Sequence, residues 1–280
     1  MRFLRIMGTS GSAEHGAGSV PAVSIVLAVH NGERFLDATL DSALTQTWTE
    51  FELLAVDDGS TDNSGALIAR RCDPRIRLIQ QKQQGAPAAL AAGLRCTRGE
   101  LVAILDQDDL WARENLARHV EAHRRRPEID LTFSWFRVID ESGADIGLHS
   151  HRYRGTIDFP GLLKDFVIGG SSNVVVRRSA IERAGGVDPN LPRLYDLDLC
   201  LRVALLAPHN ILAIEDDLMF YRRHASQISR DLPGFEAEWE RALAKFERLA
   251  PEEFRRGSPQ GRSNMCRYFA YLAYEEGSYG

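Results

Sequence analysis

The sequence predicts an α/β fold, a mostly parallel sheet flanked by helices, and three observations predict it. Short continuous apolar runs of strand length recur at 23–29, 51–60, 75–81, 101–109 and 129–140. Such runs mark strands buried on both faces. Segments of helical period separate them, and strand–helix–strand spacing of this kind implies crossovers between parallel neighbours. Polar and acidic residues gather where the runs end, and ligands of open parallel sheets sit beyond the carboxyl ends of the strands.

VSIVLAV (23–29) is the first strand, HNGERF turns the chain, and FLDATLDSALTQ (35–46) places apolar residues at helical spacing. FELLAVDDGS (51–60) is a second strand; the helix in STDNSGALIARRC follows, with Ser60 or Thr61 as its cap. RIRLIQQ (75–81), the Ala-rich helix APAALAAGLRC (86–96), LVAILDQDD (101–109), NLARHVEAHRRR (115–126) and IDLTFSWFRVID (129–140) continue the alternation. The second half is less regular. LYDLDLCLRVALLA (194–207) reads as a helix with acids in its first turn, where the macrodipole favours them. NILAIEDDLMFYRRHASQIS (210–229) reads as a strand pair followed by a basic loop. From about Asp231 the chain becomes charged and helical. Pro251, Gly257, Pro259 and Gly261 are expected to break it before a final aromatic helix, NMCRYFAYLAYEE. Residues 1–21 read as a disordered leader and not as a signal peptide.

The 280 residues, 44% hydrophobic and 26% charged, suit a soluble globular protein with a sizeable core. A net charge of −5 argues against non-specific nucleic-acid binding. Four scattered cysteines without a C-x-x-C pair argue against structural zinc and are expected to be reduced thiols.

The strand ends carry the candidate chemistry: His30-Asn31 after the first, Asp57-Asp58 after the second, Asp106, Asp108 and Asp109 after the fourth. Carboxylates at i and i+2 repel unless something offsets them, and Mg²⁺ or Mn²⁺ binds through one or two carboxylates plus phosphate oxygens and water. A solvated acidic turn, with Asp109 capping the next helix, is the plain alternative. Asp57 or Asp58 suits a base N–H or a ribose hydroxyl; a capping turn explains them equally. GGSSN (169–173) presents backbone N–H groups or hydroxyls to an acceptor, or is a glycine turn. Among the tryptophans, Trp111 follows the acidic loop directly and is the one expected at the acceptor; Trp48 and Trp135 are expected in the core.

In this order and spacing, VSIVLAVHNGERF, VDDGSTDNS, ILDQDDLW, LYDLDLCLRV and YRRHASQIS resemble a family 2 glycosyltransferase over roughly residues 22–230. The resemblance implies a GT-A fold: a Rossmann-like, mostly parallel sheet flanked by helices, with a nucleotide-binding half at 22–140, an acceptor-binding half at 141–230 and a C-terminal helical extension at 231–280. It implies an inverting transfer from a nucleotide-diphosphate sugar, a UDP-sugar foremost, to a saccharide or lipid-linked saccharide. A divalent cation, Mn²⁺ or Mg²⁺, would assist in cell-surface polysaccharide assembly on the cytoplasmic side. No nucleic-acid partner is expected; peripheral membrane contact and homo-oligomerisation stay open.

By position, the resemblance assigns Ala28, His30, Asn31 and Asp58 to the nucleotide, Asp106 to the ribose and metal, and Asp108 to the metal. His224 falls at the metal or diphosphate, Arg222 and Arg223 at the diphosphate, and Asp196 at the general base; Gly170, Ser171 and Trp111 are the acceptor-side candidates from the residues themselves. Asp198 is the rival base. Two residues along a helix it faces about 160° away from Asp196, so both cannot serve. Two departures stand out: Leu90 and Ala91 occupy places where many relatives carry an Arg-Asn pair, and Tyr195 stands where the base motif often has Glu. The rival classes are a sugar nucleotidyltransferase, whose phosphate-holding Gly- and Arg/Lys-rich loop is missing from VHNGERF, and a non-catalytic nucleotide- or glycan-binding relative.

Overall fold

The computed structural model describes residues 5–6 and 21–275. Its first part runs β1 (Arg5–Ile6), β2 (Val23–Val29), α1 (Glu33–Leu44), β3 (Phe51–Asp58), α2 (Ser64–Ala69), β4 (Ile76–Gln81), α3 (Ala86–Leu94), β5 (Leu101–Asp106), β6 (Leu110–Trp111) and α4 (Asn115–Arg125). Then follow β7 (Leu131–Ile139), β8 (Asp145–His149), β9 (Thr156–Ile157), α5 (Phe159–Lys164), β10 (Val174–Arg177), α6 (Arg178–Arg183), α7 (Tyr195–Ala204), β11 (Ile211–Arg222), α8 (Leu232–Leu249) and α9 (Pro251–Glu275). A 3₁₀ turn, Ser171–Asn173, leads into β10.

One sheet holds the strands in the order β1-β4-β3-β2-β5-β10-β7-β11-β6, with β8 on β7 and β9 on β11. Its long ladders are parallel: β2 with β3 and β5, β3 with β4, and β7 with β11. The antiparallel ladders are short, and β10 between β5 and β7 joins the halves. Every residue of β3 is buried, as a strand covered on both faces requires. Val26, Leu54 and Val56 face the core beneath α3, α5 and α7, while Ile25, Leu27 and Leu53 face the core beneath α1 and α4. This interleaving makes the apolar runs continuous rather than alternating.

Four expectations need correction. The cap of α2 is neither Ser60 nor Thr61: the helix starts at Ser64, whose N–H donates to the Asp62 side chain at 2.9 Å. Residues 211–222 form one strand, not a pair. Glu215, Asp216 and Asp217, which suggest a turn, fall where β11 shifts register against β7, and Arg154, Arg118 and Arg152 pair with them. Of the expected breakers of the C-terminal region, Pro251 does open a new helix after α8 ends at Leu249, whereas Gly257, Pro259 and Gly261 lie inside α9. A Cβ at Gly257 would lie 2.8 Å from the Pro160 carbonyl oxygen, and one at Gly261 2.3 Å from that of Leu163. These glycines admit the backbone of α5. Finally, Arg5 and Ile6 of the expected leader pair with Gln80 and Ile79 at the sheet edge; the rest of that leader up to residue 20 lies outside the described residues. No described helix is long and apolar enough to cross a membrane.

Candidate active site

Because β3, β2 and β5 are parallel neighbours, their carboxyl ends open on one edge; Ala28 pairs with Val56 on one side and Asp106 on the other. Beyond β2 the chain turns through Asn31 at φ 50°, a left-handed conformation that asparagine tolerates. The His30 ring lies with Nδ1 2.9 Å from the Asp58 carbonyl oxygen. A carbonyl only accepts, so Nδ1 carries the proton and Nε2 accepts from Gln83 Nε2 at 3.1 Å and Asn31 Nδ2 at 3.2 Å. The Asn31 Oδ1 accepts from the Thr61 N–H at 2.8 Å. Ala28, His30, Asn31 and Asp58 therefore gather as expected, with one correction. The Asp58 carboxylate does not stand open to a base: it accepts from Gln81 Nε2 at 2.7 Å and from the N–H groups of Gln84 and Gly85 at 2.9 and 2.7 Å. It shapes the loop that enters α3. Asp57 makes the turn contact, accepting from the Ser60 N–H at 2.9 Å.

The acidic loop is held from beneath. The Gln107 amide accepts from the His30 N–H at 2.9 Å and donates to the His30 carbonyl at 3.1 Å, which locks the ends of β2 and β5 together. The Thr39 hydroxyl lies 2.9 Å from both the Gln107 and the Asp109 carbonyl oxygens. A Cβ on Gly32 would meet Gln107 Oε1 at 2.4 Å, so a larger residue would push the Gln107 side chain out of this clamp. The three carboxylates then diverge. Asp109 turns inward, 2% exposed, and accepts from the Arg222 N–H at 2.9 Å. Burial, then the charges of Asp108 and Asp106, push it well above the ordinary carboxylate range. Asp108 meets His224 Nε2 at 2.8 Å, and His224 Nδ1 lies 2.9 Å from the Ser226 hydroxyl. The Phe35 ring packs on the imidazole, with centroids 4.8 Å apart. Asp106 accepts from the Ser171 hydroxyl at 2.5 Å and from the Tyr195 hydroxyl at 3.3 Å. Its pKa is pushed up to about 6 by burial and by Asp108.

The basic residues after β11 divide. Arg222, expected at a diphosphate, is 3% exposed, and its guanidinium donates to the carbonyls of Asp108, Asp140 and Glu141. It braces the acidic loop through these carbonyls and lies 4.9 Å above the Phe35 ring. The Arg223 guanidinium lies 6.0 Å above the Tyr271 ring of α9. His224 stands against Asp108.

On the acceptor side, α7 separates the two rival bases. Asp198 is fully buried and ion-paired to Arg202 at 2.5 Å and to Lys245 at 2.6 Å. Asp196 has neither cation: its Oδ1 accepts from the Leu197 N–H at 2.7 Å. Burial raises its pKa to about 7, with Asp106 adding to the rise. Gly170 is extended, with open space where a Cβ would project, and Ser171 is 2% exposed and bound to Asp106. Trp111 corrects its expectation. It is 4% exposed, and its indole N–H donates to the Ser172 carbonyl at 2.7 Å, so it supports the Ser171–Asn173 turn from within the core. Gln107, Ser172, Ser226 and Phe35 were not legible as site residues: each is a common residue type whose role depends on a partner 2 to 189 positions away in no fixed pattern. Only the place of Gln107 between the acids offered a signal.

The mostly parallel sheet is that of the GT-A fold, and Asp106, Asp108 and Asp109 gather at its carboxyl edge. The model of the family described as Glycosyl transferase family 2 matches residues 24–185, more than half of the chain, and the chain belongs to that family. An uncharacterized glycosyltransferase of Nostoc sp. is 28% identical over 73% of this chain and 65% of its own length. The Escherichia coli UDP-Glc:alpha-D-GlcNAc-diphosphoundecaprenol beta-1,3-glucosyltransferase WfgD is 27% identical over 74% of this chain and 78% of its own. A Rickettsia felis relative is matched over only 37% of its length, so the chain spans two-thirds or less of some relatives. In fold, S. aureus TarS in complex with UDP-GlcNAc matches at TM-score 0.67 and 17% identity, over 80% of this chain and 66% of that one. The mannosyltransferase PcManGT of Pyrobaculum calidifontis, in complex with GDP-Man and Mn²⁺, matches at TM-score 0.60 and 17% identity, over 94% and 76%.

Proposed function

We propose that the protein transfers a sugar from a nucleoside-diphosphate sugar, a UDP-sugar foremost, to a hydroxyl of a saccharide or lipid-linked saccharide, with inversion, in the assembly of cell-surface polysaccharide on the cytoplasmic side. The observation that carries this reading is the division of the carboxylates: Asp106 and Asp108 at the strand end, Asp196 across from them on α7, none ion-paired to Lys or Arg among the described residues. An inverting transfer is a single in-line displacement at the anomeric carbon. It needs a base on the acceptor side and charge stabilisation on the departing diphosphate. Asp196 takes the first role: it receives the acceptor hydroxyl proton as the oxygen bonds to carbon. A pKa of about 7 suits a base working near neutrality. Asp198, fixed between two cations, is spared for packing.

The donor set of Asp106, Asp108 and His224 suits a hard divalent cation, Mn²⁺ or Mg²⁺. Among the described residues no group of three or more His, Cys, Asp or Glu side chains is placed to hold a metal ion, so the cation would be held through one or two of these carboxylates and completed by phosphate oxygens and water. When bound, such a cation acts as a Lewis acid on the leaving diphosphate. The burial of Asp106, and then the charge of Asp108 beside it, which together raise its pKa to about 6, support this fit. UDP-GlcNAc on TarS and GDP-Man with Mn²⁺ on PcManGT support the donor class, and the lipid-linked substrate in the name of WfgD supports the acceptor class. The test is Asp196→Asn: transfer should fall by about 10²–10⁴-fold with diphosphate affinity nearly unchanged. Transfer that survives Asp196→Asn would remove Asp196 from the mechanism.

A further inference from the structure

Tyr195 occupies the first turn of α7, one residue before the proposed base. Its ring packs against the core beneath α3, α5 and α7, and its hydroxyl is the polar atom it sends toward the site. That hydroxyl lies 3.3 Å from Asp106 Oδ1 and 3.2 Å from the Ser171 hydroxyl, and Ser171 in turn donates to Asp106 Oδ2 at 2.5 Å. Three chain segments thus close one triangle: the end of β5, the 3₁₀ turn before β10 and the start of α7. No other side-chain hydrogen bond among the described residues ties α7 to the acidic loop.

Resting on the reading above, we propose that Tyr195 is a positioning residue whose hydroxyl ties the base-bearing helix to Asp106, so that the carboxylate that meets the donor and the one that meets the acceptor keep one separation. In-line displacement is sensitive to that separation, because the acceptor oxygen must sit opposite the leaving group while in reach of the base. Ser171 shares the role on the Asp106 side. Among the described residues the Asp196 carboxylate accepts from the N–H of its neighbour Leu197, so its place depends on where the helix begins.

The experiment compares wild type with Tyr195→Phe and Ser171→Ala, alone and combined. It measures UDP affinity with Mn²⁺ by calorimetry, kcat and acceptor KM, and Tm. Phe keeps the packed ring, so Tm should stay within about 2 °C of wild type. Losing one hydrogen bond to a carboxylate should weaken UDP–Mn²⁺ affinity by about 3- to 10-fold, and kcat should fall further, by about 10-fold or more, with acceptor KM little changed. The double variant should lose less than the product of the single losses, because both hydroxyls hold the same carboxylate. Unchanged affinity and kcat in Tyr195→Phe, or losses matched by a collapse in Tm, would overturn the proposal while leaving the transferase reading in place. A wild type that binds no nucleoside diphosphate would overturn the reading itself, and this inference with it.

Discussion

The two ends of the parallel sheet treat buried carboxylates in opposite ways. At the amino end, Glu52 is 3% exposed and fully served: Arg98 pairs with it at 2.9 Å and Arg77 at 3.4 Å, the Ser24 hydroxyl donates at 2.7 Å and the Arg98 N–H at 2.8 Å. At the carboxyl end, Asp106, Asp108, Asp109 and Asp196 share a small volume, and among the described residues their one ionisable basic partner is the His224 imidazole. Glu52 is a structural brace. The carboxyl end keeps like charges together with no Lys or Arg ion-paired to their carboxylates among the described residues, the Arg222 guanidinium there being held by backbone carbonyls, and burial raises the pKa values of Asp106, Asp109 and Asp196. Such an arrangement costs stability and makes sense where a ligand brings positive charge. The same contrast recurs within one helix turn: Asp198 is locked between Arg202 and Lys245, and Asp196 is not.

Breaking this contrast at its sharpest point has the largest expected effect. Asp196→Asn should abolish transfer and leave the fold intact. Truncating Asp198 to Ala should leave Arg202 and Lys245 facing a gap and cost about 3–5 kcal/mol of stability, read as a lower denaturant midpoint. If Asp198→Ala is stable and it alone kills transfer, the two carboxylates have been assigned in reverse.

The pH dependence comes next. Asp196 must be ionised to act as base, so kcat/KM should rise with pH through about 7 and level off above it. A pH-rate profile flat from 5 to 8 would contradict that role. Stability should move the other way. Between the ordinary carboxylate value of 3.8 and about 7, folded Asp196 holds a proton that the unfolded chain has released, as does Asp106 up to about 6. Stability of the ligand-free protein should therefore fall as pH rises across this window. Asp196→Asn should raise Tm at pH 8 by about 2–4 °C, and Mn²⁺ with UDP should raise that of wild type.

The smallest effect is expected at the clamp. Gly32→Ala pushes a methyl into Gln107 Oε1 and should weaken nucleotide affinity a few-fold by loosening the hold on His30, with little change in kcat. An equal loss at Glu52→Gln, at the other end of the sheet, would show that general destabilisation is being measured.

Much of this architecture is written in the sequence. Strands buried on both faces need unbroken apolar runs, so β2, β3 and β5 and the acids that follow them are readable without coordinates. What is not readable is direction. Arg222 and Arg223 are adjacent in the chain, yet one guanidinium is spent on three backbone carbonyls and the other lies over Tyr271. Trp111 follows the acidic loop but points into the core, because the two-residue strand β6 pairs with Met219 and Phe220. The acids of β11 mimic a turn because a register shift lets a strand carry them to Arg partners. Gly257 and Gly261 mimic breakers because contact with α5, not local conformation, selects them. In each case a partner distant in sequence decides between readings that the local pattern leaves equal.

The most direct measurement is a calorimetric titration of UDP into the protein, with and without Mn²⁺, on wild type and Asp108→Ala, with GDP and dTDP as comparisons. The account predicts that a nucleoside diphosphate binds wild type only with the metal and that Asp108→Ala loses this binding. Failure of all three to bind under any metal, or equal binding by Asp108→Ala, would mean that the acids at the carboxyl end of the sheet do not hold a metal diphosphate.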